Sequence, residues 1–350
     1  MICRLNIWSN LFTTGMIIFF DFSSIGGMKI LICDDSAVAR KLIARTIVQD
    51  TSLHLIEAQD GNEALKILAE QNIDVLFLDL TMPIMDGFEV LESLPVSHYP
   101  TQIVIVSGDV QQEAKQRCLD LGAMDFIAKP LSEEQVIPLY ERLGLHYAQR
   151  TSMELNSAQS QEELSSLAKF REIANIALGK GAAIMADHLH EFIQLPVPHV
   201  GPLSYGELHM TLVDVIGRDS SVAVSQRFVG GGIHGEALVC LRGKDINQIG
   251  ERLGYLLEFT PHNEIILNVS NLLVSSFLTS LGNQLDKQFS LRQPGIVDTI
   301  TPYNEEQGES GELFTIEYTY MAEALDFECE VLFLIDKPSV EIIYEIMELI

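Results

Sequence analysis

From Met28 onward, short apolar runs alternate with amphipathic stretches of helical periodicity. Strand–helix alternation builds a parallel sheet with helices on both faces, so the pattern predicts a doubly wound α/β domain with a five-stranded parallel sheet. The predicted strands are Ile30–Cys33, Leu53–Ala58, Val75–Asp79, Ile103–Ser107 and Met124–Ile127, and the predicted helices begin near Ser36, Asn62, Gly87, Gln111 and Ser132.

The second half of the chain has another order, in which a long helix, three strands and a further helix occur twice. This repetition predicts an α+β domain with an internal pseudo-two-fold duplication. The first set has a helix over Glu163–Glu191, strands over Glu207–Val215, Ser221–Phe228 and Gly235–Leu241, and a helix over Asp245–Leu257. The second has a helix over Asn263–Gln284, strands over Gly295–Ile300, Leu313–Tyr320 and Glu328–Leu334, and a helix from Ser339.

These patterns predict a first domain over 28–147, a polar linker over 148–163 and a second domain over 164–350. Residues 1–27 form an extension whose apolar stretch, Leu11–Phe20, is too short to span a membrane. We favour Met28 as the true start, because the organised pattern begins there, with a signal peptide as the alternative.

The chain is acidic, with 22 basic and 49 acidic residues and a formal net charge of −27. Such a chain repels phosphate backbones and anionic lipid, so we expect no nucleic-acid binding and no membrane insertion. The five cysteines are scattered without a CxxC motif, which favours reduced thiols in a cytoplasmic protein.

Polar side chains stand where the predicted parallel strands end. Carboxyl ends of parallel strands share one edge of the sheet, where ligands bind, so these groups should converge. Carboxylates suit Mg²⁺, one carboxylate can attack phosphorus, and a hydroxyl and an ammonium can hold the other phosphoryl oxygens. The residues are Asp34, Asp35, Asp79, Ser107 and Lys129.

With these motifs in this order, residues 28–147 resemble a CheY-like response-regulator receiver domain. The resemblance implies Asp79 as the phosphoacceptor, phosphorylated by a CheA-like sensor histidine kinase, and a cis peptide between Lys129 and Pro130. It also implies Ser107 and Phe126 as switch residues and Lys129 as the phosphate ion pair. The implied Mg²⁺ ligands are Asp34 (through water), Asp35, Asp79 and the carbonyl of Thr81. The alternative left open is a receiver fold that is not phosphorylated.

A second motif lies on the long helix of the second half. Glu172 and Asn175 are three residues apart, so they share one helix face, and Pro198 follows after 22 residues. A shift of 96 residues places Asn175 on Asn271 and Pro198 on Pro294, which supports the duplication. The same shift places Glu172 on Asn268, so the second copy lacks the acidic residue.

This pattern resembles the CheC/CheX family of chemotaxis phosphatases. The resemblance implies that Glu172 and Asn175 are catalytic residues that remove phosphate from an aspartyl phosphate, and that Asn268 and Asn271 mark a degenerate second site. Asn175 would orient the attacking water, and Glu172 would pair with the phosphate-site lysine of the target. A Glu-x-x-Asn pair is weak by itself, so a solvated helix face is one alternative. Ala168 stands where the family has a polar residue and the second copy lacks the Glu, so a binding-only domain is another.

The leading hypothesis is therefore a two-component signalling protein of the chemotaxis type, in which a receiver phosphorylated on Asp79 regulates a phosphatase. Its substrate would be a separate phosphorylated CheY-like response regulator or, in a self-directed variant, the Asp79 phosphate of its own chain or of a dimer partner. The alternative is a non-catalytic adaptor whose docking to chemotaxis or flagellar-switch proteins is gated by phosphorylation. The acidic charge gives a transcription factor little support.

Overall fold

The computed structural model describes residues 27–48, 53–94, 100–148, 165–204, 222–243, 246–297, 312–325 and 327–349. The predicted extension up to residue 26, nearly all of the predicted linker and the predicted strand Glu207–Val215 lie outside these residues. The described residues form one domain built on a parallel sheet and a second built on an antiparallel sheet.

The N-terminal domain is the predicted doubly wound fold, with five parallel strands in the order β2-β1-β3-β4-β5. Its first and third strands are almost wholly buried and apolar, as expected for strands covered on both faces. The strands are β1 Met28–Cys33, β2 Leu53–Ala58, β3 Val75–Leu78, β4 Gln102–Ser107 and β5 Asp125–Ala128. The helices are α1 Ala37–Thr46, α2 Gly61–Glu70, α3 Gly87–Ser93, α4 Gln112–Asp120 and α5 Glu133–Leu143.

Polar caps fix where the first three helices begin. The side chains of Ser36, Asp60 and Asp86 accept hydrogen bonds from backbone N–H groups of α1, α2 and α3, respectively. These bonds satisfy donors that the first turn of a helix leaves without partners, which is why the predicted starts agree closely with the observed ones. Each helix therefore starts directly beyond the loop that leaves the carboxyl edge of the sheet.

The C-terminal domain packs helices on an antiparallel seven-stranded sheet in the order β10-β7-β8-β12-β11-β6, with β9 paired to β7. Its strands are β6 His199–Ser204, β7 Val222–Gly230, β8 Ile233–Gly243, β9 Ser290–Leu291, β10 Gly295–Ile296, β11 Glu312–Ala322 and β12 Phe327–Ile335. Its helices are α6 Ser166–Leu189, α7 Ile246–Arg252, α8 His262–Leu285 and α9 Lys337–Leu349, with a 3₁₀ turn at Glu323–Leu325.

The two long helices, α6 and α8, pack against each other through the core. Each has 24 residues, and each ends on a non-glycine residue in the left-handed region, His190 and Asp286. The two halves of the sheet are arranged alike about a central β8–β12 pair. At one edge β6 pairs with β11, and at the other edge β10 pairs with β7.

The second-half prediction missed two strands, the two-residue β9 and the longer β6. It gave no strand at His199–Ser204, yet β6 lies there as an edge strand on β11. Gly201 and Pro202 argue against a strand by propensity, but an edge strand tolerates proline because one side of it is not paired. The other predicted strands with described residues are present with shifted ends, and Gly231 and Gly232 form the hairpin turn between β7 and β8.

Helix α8 is long and apolar enough to cross a membrane by length and composition, the one such helix among the described residues. In the fold, 67% of its most apolar window is buried against the rest of the protein. Its apolar surface is therefore explained by the core of the C-terminal domain.

Candidate functional site

The site lies at the carboxyl edge of the parallel sheet, where the sequence predicts it. Asp34 follows β1, Asp79 follows β3 and Lys129 follows β5, and all three side chains are buried. The Lys129 Nζ lies 2.7 Å from Asp34 Oδ2 and 3.4 Å from Asp79 Oδ1. A buried ammonium thus bridges two buried carboxylates, as a phosphoryl-binding edge requires.

The loop after β1 is held by groups that the sequence reasoning did not identify. Arg40 on α1 is buried, and its Nη1 donates to the carbonyl oxygens of Asp34 at 2.7 Å and Asp35 at 3.3 Å. Its Nε donates to Glu57 Oε2 at 2.8 Å. These bonds fix the backbone that carries the two acidic side chains. The only feature of the sequence that could have indicated this role is the position of Arg40 in the first turn of α1, shortly after the two acidic residues.

Ligand oxygens of Asp34, Asp35 and Asp79 all lie within 4.8 Å of one another. Thr81, the fourth predicted ligand, donates its N–H to Asp79 Oδ2 at 3.2 Å, so this loop also lies at the cluster. Burial, together with repulsion among the neighbouring carboxylates, raises the pKa of Asp34 to about 8 and the pKa values of Asp35 and Asp79 to about 6. Three clustered carboxylates with this unfavourable repulsion fit Mg²⁺, which prefers oxygen ligands and supplies positive charge.

We expect Mg²⁺ affinity to fall as the pH falls. Protons compete with the metal below the raised pKa values of the acidic cluster, since coordination requires ionised carboxylates. The dissociation constant at pH 5.5 should be at least roughly tenfold larger than at pH 8. Isothermal titration of the full chain with MgCl₂ at both pH values measures this, with Asp35→Asn as the control. Equal affinities at the two pH values would contradict a site built from these carboxylates.

The predicted switch residues lie beside the acidic cluster. Ser107 ends β4 and is fully buried, and its Oγ accepts a hydrogen bond from the N–H of Asp109 at 3.2 Å. Phe126 on β5 is half-buried against the apolar core on one face of the sheet. The Lys129–Pro130 peptide is cis, as predicted.

Glu172 on α6 reaches into this site from the C-terminal domain. Its Oε1 lies 3.3 Å from Lys129 Nζ, and the side chain is only 5% exposed. A solvated helix face is therefore wrong for Glu172. The lysine that Glu172 pairs with is Lys129 of the same chain, whereas the leading hypothesis from the sequence expects the lysine of a separate receiver. Burial alone would lower the pKa of Lys129, but Asp34, Asp79 and Glu172 outweigh burial and raise it well above its usual value.

Asn175 lies one turn further along α6 and is half-buried at the same interface. Its backbone carbonyl faces Gly108, the residue that directly follows Ser107, since a Cβ added to Gly108 would lie 3.4 Å from that oxygen. The structure therefore brings both predicted catalytic residues to the edge that carries Asp79. A cavity of about 220 Å³ lies between α1 and α6 and is lined by Lys129, Glu172 and Ile176 among others.

The docked arrangement has a second contact, beyond the C-terminal end of α6. The side chain of Gln111, at the start of α4, donates to the carbonyl of Ile193 at 2.8 Å and accepts from its N–H at 2.9 Å. The ring of Phe192 packs edge-on against Phe88 of α3, with centroids 6.4 Å apart. Sequence reasoning missed these residues, because pairings between distant segments leave no periodic pattern.

The second helix carries no equivalent site. Asn268 is half-buried and Asn271 is exposed on α8. The Oδ1 of Asn271 accepts a hydrogen bond from Gln226 Nε2 at 2.7 Å, and Gln226 in turn is buried in the sheet. The amide of Asn271 is thus held by the C-terminal domain itself.

A parallel five-stranded sheet, a buried acidic cluster and a lysine at the end of β5 define the N-terminal domain as a receiver domain of the response-regulator class. Residues 30–141 match the family model described as the response regulator receiver domain. The described C-terminal residues add an antiparallel domain to it.

Proteins of chemotaxis signalling are among the chains that it resembles. A protein-glutamate methylesterase/protein-glutamine glutaminase of Geobacter sulfurreducens is 30% identical over 168 residues, 46% of this chain and 44% of that protein. One from Halalkalibacterium halodurans is 41% identical over 106 residues, 29% of this chain and 30% of that protein. The response regulator domain of Thermotoga maritima CheB is 31% identical, with a TM-score of 0.30, over 34% of this chain and 94% of that one. The chain spans less than half the length of these curated relatives.

Proposed function

We propose that the C-terminal domain is an aspartyl-phosphate phosphatase that acts on a receiver docked against α6, and that its own phosphorylated Asp79 is one substrate. The observation that carries this proposal is the 3.3 Å ion pair between Glu172 and Lys129. It places a helix from the C-terminal domain directly over the phosphoryl-acceptor edge. A receiver takes its phosphoryl group from a histidine kinase, so the chain would both accept and remove that group.

Asn175 supplies what the receiver edge lacks. The acidic cluster would hold a metal, and Lys129 and Ser107 would hold phosphoryl oxygens, so the remaining requirement is a water placed in line with the phosphorus–oxygen bond. An amide can donate to and accept from that water without becoming charged. Because positioning carries most of the catalysis in phosphoryl transfer, no general base is needed.

Glu172 registers the helix on the receiver. Its charge-assisted contact with Lys129 fixes α6 along its length and in rotation, and Asn175 projects from the same face one turn on. Mg²⁺, when bound by the acidic cluster, neutralises charge on the phosphoryl group. The cavity beside Lys129 and Glu172 offers room for water at the covered edge.

The order of the C-terminal sheet supports a CheC-like domain with an internal duplication. The strand order across the sheet is β10-β7-β8-β12-β11-β6. When β6 is exchanged with β10, β7 with β11 and β8 with β12, the same order results, read from the opposite edge of the sheet. The left-handed residues that end the long helices, His190 and Asp286, are also 96 positions apart. Only α6 carries Glu three residues before the Asn, since Asn268 of α8 stands at the position that matches Glu172.

The methylesterase/glutaminase activity in the relatives' names is not the activity that we propose. The alignment with the Halalkalibacterium halodurans protein covers 106 residues, about the size of the receiver match at 30–141. A segment of that size corresponds to the receiver, whereas the alignment with the Geobacter sulfurreducens protein is longer, at 168 residues.

Mixing two variants tests whether the reaction is intramolecular. We expect Asn175→Ala, phosphorylated on Asp79, to keep its phosphate when unphosphorylatable Asp79→Asn chains are added, because the substrate receiver is already docked on its own α6. Loss of labelled phosphate is followed over time at several concentrations of the Asp79→Asn chain. Wild-type decay that is independent of concentration supports the intramolecular reaction. Acceleration by the added chain would instead show that α6 acts on a separate receiver.

A phosphorylation-gated adaptor is the second candidate, and the paired hydrogen bonds between Gln111 and Ile193 favour it. They fasten a segment of the C-terminal domain to the start of α4, close to the Ser107 switch. Phosphorylation that moves this loop would release the segment for another protein. Unchanged phosphate lifetimes in both the Asn175→Ala and Glu172→Gln variants, with a phosphorylation-dependent change in hydrogen exchange at residues 190–195, would favour the adaptor.

A further inference from the structure

The backbones of the two domains approach each other closely at two glycines. A Cβ added to Gly179 of α6 would lie 2.2 Å from the carbonyl oxygen of Gly108 and 2.7 Å from the N of Asp109. A Cβ added to Gly108 would lie 3.1 Å from the Cα of Ile176. Backbone therefore meets backbone at this point, with no room for a side chain on α6.

Glycine in the interior of a helix weakens that helix relative to alanine. Gly179 lies in the middle of α6, at a position where the three nearest atoms to an added Cβ all belong to Gly108 and Asp109 of the receiver. Its lack of a side chain is therefore explained by the contact with the receiver and not by packing within its own domain.

We propose that Gly179 is the docking determinant of α6: it forms a notch that admits the backbone of the receiver loop after β4, and the nearby Ile176 makes glycine the best-fitting residue directly after the switch hydroxyl. The chain's own Ser107-Gly108 sequence has this glycine. A second receiver that competes for α6 fits best with the same loop. The docking role rests on the geometry alone, and its effect on phosphate removal rests on the proposed function.

Helix α8 shows the contrasting case within the same molecule. The shift of 96 residues that relates the two helices places Gly179 on Ser275. Ser275 carries a side chain, and its Oγ donates to the carbonyl of Leu272 at 3.1 Å. A receiver loop could not approach the α8 backbone as closely as it approaches α6, so the notch restricts docking to the helix that carries Glu172 and Asn175.

The test compares Gly179→Ala with the wild type as full chains. The N–H of Ile193 bonds to Gln111 only while the domains are docked, so its exchange with deuterium reports docking. We expect exchange in the peptide over residues 190–195 to become at least tenfold faster, with a larger radius of gyration in small-angle scattering. Gly108→Ala should have a smaller effect in the same direction. Its added Cβ would lie 3.1 Å from the Cα of Ile176, which is a milder clash than the 2.2 Å between an added Cβ on Gly179 and the carbonyl oxygen of Gly108.

Asp187→Ala is the matched control, because it also replaces a poorer helix former with alanine at an exposed position of α6. It should leave exchange and scattering unchanged. Wild-type exchange and wild-type dimensions in Gly179→Ala would overturn the docking role. Failure of the phosphatase proposal gives a different result, in which Gly179→Ala opens the chain but the lifetime of Asp79-phosphate stays the same.

Discussion

Replacing Asn175 with alanine is expected to lengthen the lifetime of Asp79-phosphate in the full chain by roughly a hundredfold, the usual cost of losing the placement of a reacting group. The docked helix would still cover the site, because Glu172 and Gly179 are intact. The receiver edge would also keep its acidic cluster and Lys129. The missing group is the amide that orients water, so the lifetime should approach that of a receiver without the helix.

The measurement follows radiolabelled phosphate on Asp79 after the phosphodonor is removed. Asn271→Ala is the matched control, because it deletes the corresponding amide from α8, where Gln226 already holds it. This control should decay at the wild-type rate. Equal lifetimes for Asn175→Ala and the wild type would remove the catalytic role of Asn175, and faster decay in the control would assign activity to the second helix.

Much of the receiver could be predicted from the sequence, because its signals are local. Strand–helix alternation predicts five parallel strands, and the polar residue at each strand end necessarily lies on one edge of such a sheet. Asp34, Asp79 and Lys129 accordingly meet within hydrogen-bonding or ion-pairing distance. In the C-terminal domain, the edge strand His199–Ser204 was missed, since its stability comes from pairing with β11 and not from its own propensity.

The docking of the two domains could not be predicted, since it depends on contacts between distant segments. Glu172 is a weak signal by itself, and only the fold shows that its partner is Lys129 of the same chain. Gly179 and Gln111 gave no chemical signal at all, since one acts by lacking a side chain and the other by bonding to a backbone 82 residues away. Spacing could single out Glu172 and Asn175 but not the receiver against which their helix lies.

Lys129→Met should destabilise the receiver domain by about 3–5 kcal/mol at pH 8, the usual cost of removing one partner from a buried ion pair. Lys129 is the cation that lies against three buried carboxylates, Asp34, Asp79 and Glu172. Methionine keeps much of the length and apolar stem of lysine, so the change chiefly removes the charge. The three carboxylates would then face one another without a compensating cation.

The loss of unfolding free energy in Lys129→Met should be smaller at pH 5 than at pH 8, because the neighbouring carboxyl groups are more fully protonated at pH 5. The pKa of Asp34 is about 8 and that of Asp79 about 6 in the folded protein, above the usual carboxyl value, because both are buried. Between the pKa of the unfolded chain and the raised pKa of the folded protein, such a carboxyl group binds more protons in the folded state. The stability that it contributes therefore falls as the pH rises through this range. Without Lys129 the folded-state pKa values rise further, which makes the penalty largest at pH 8.

Urea-dependent hydrogen exchange of β1 and β3 measures the unfolding free energy of the receiver within the full chain at each pH. Lys115→Met is the matched control, since Lys115 is exposed on α4, and it should change stability by less than about 0.5 kcal/mol. Millimolar Mg²⁺ should restore part of the loss at pH 8, because the metal supplies positive charge to two of the same carboxylates. A pH-independent loss, or one no larger than that of Lys115→Met, would mean that Lys129 does not compensate this buried negative charge.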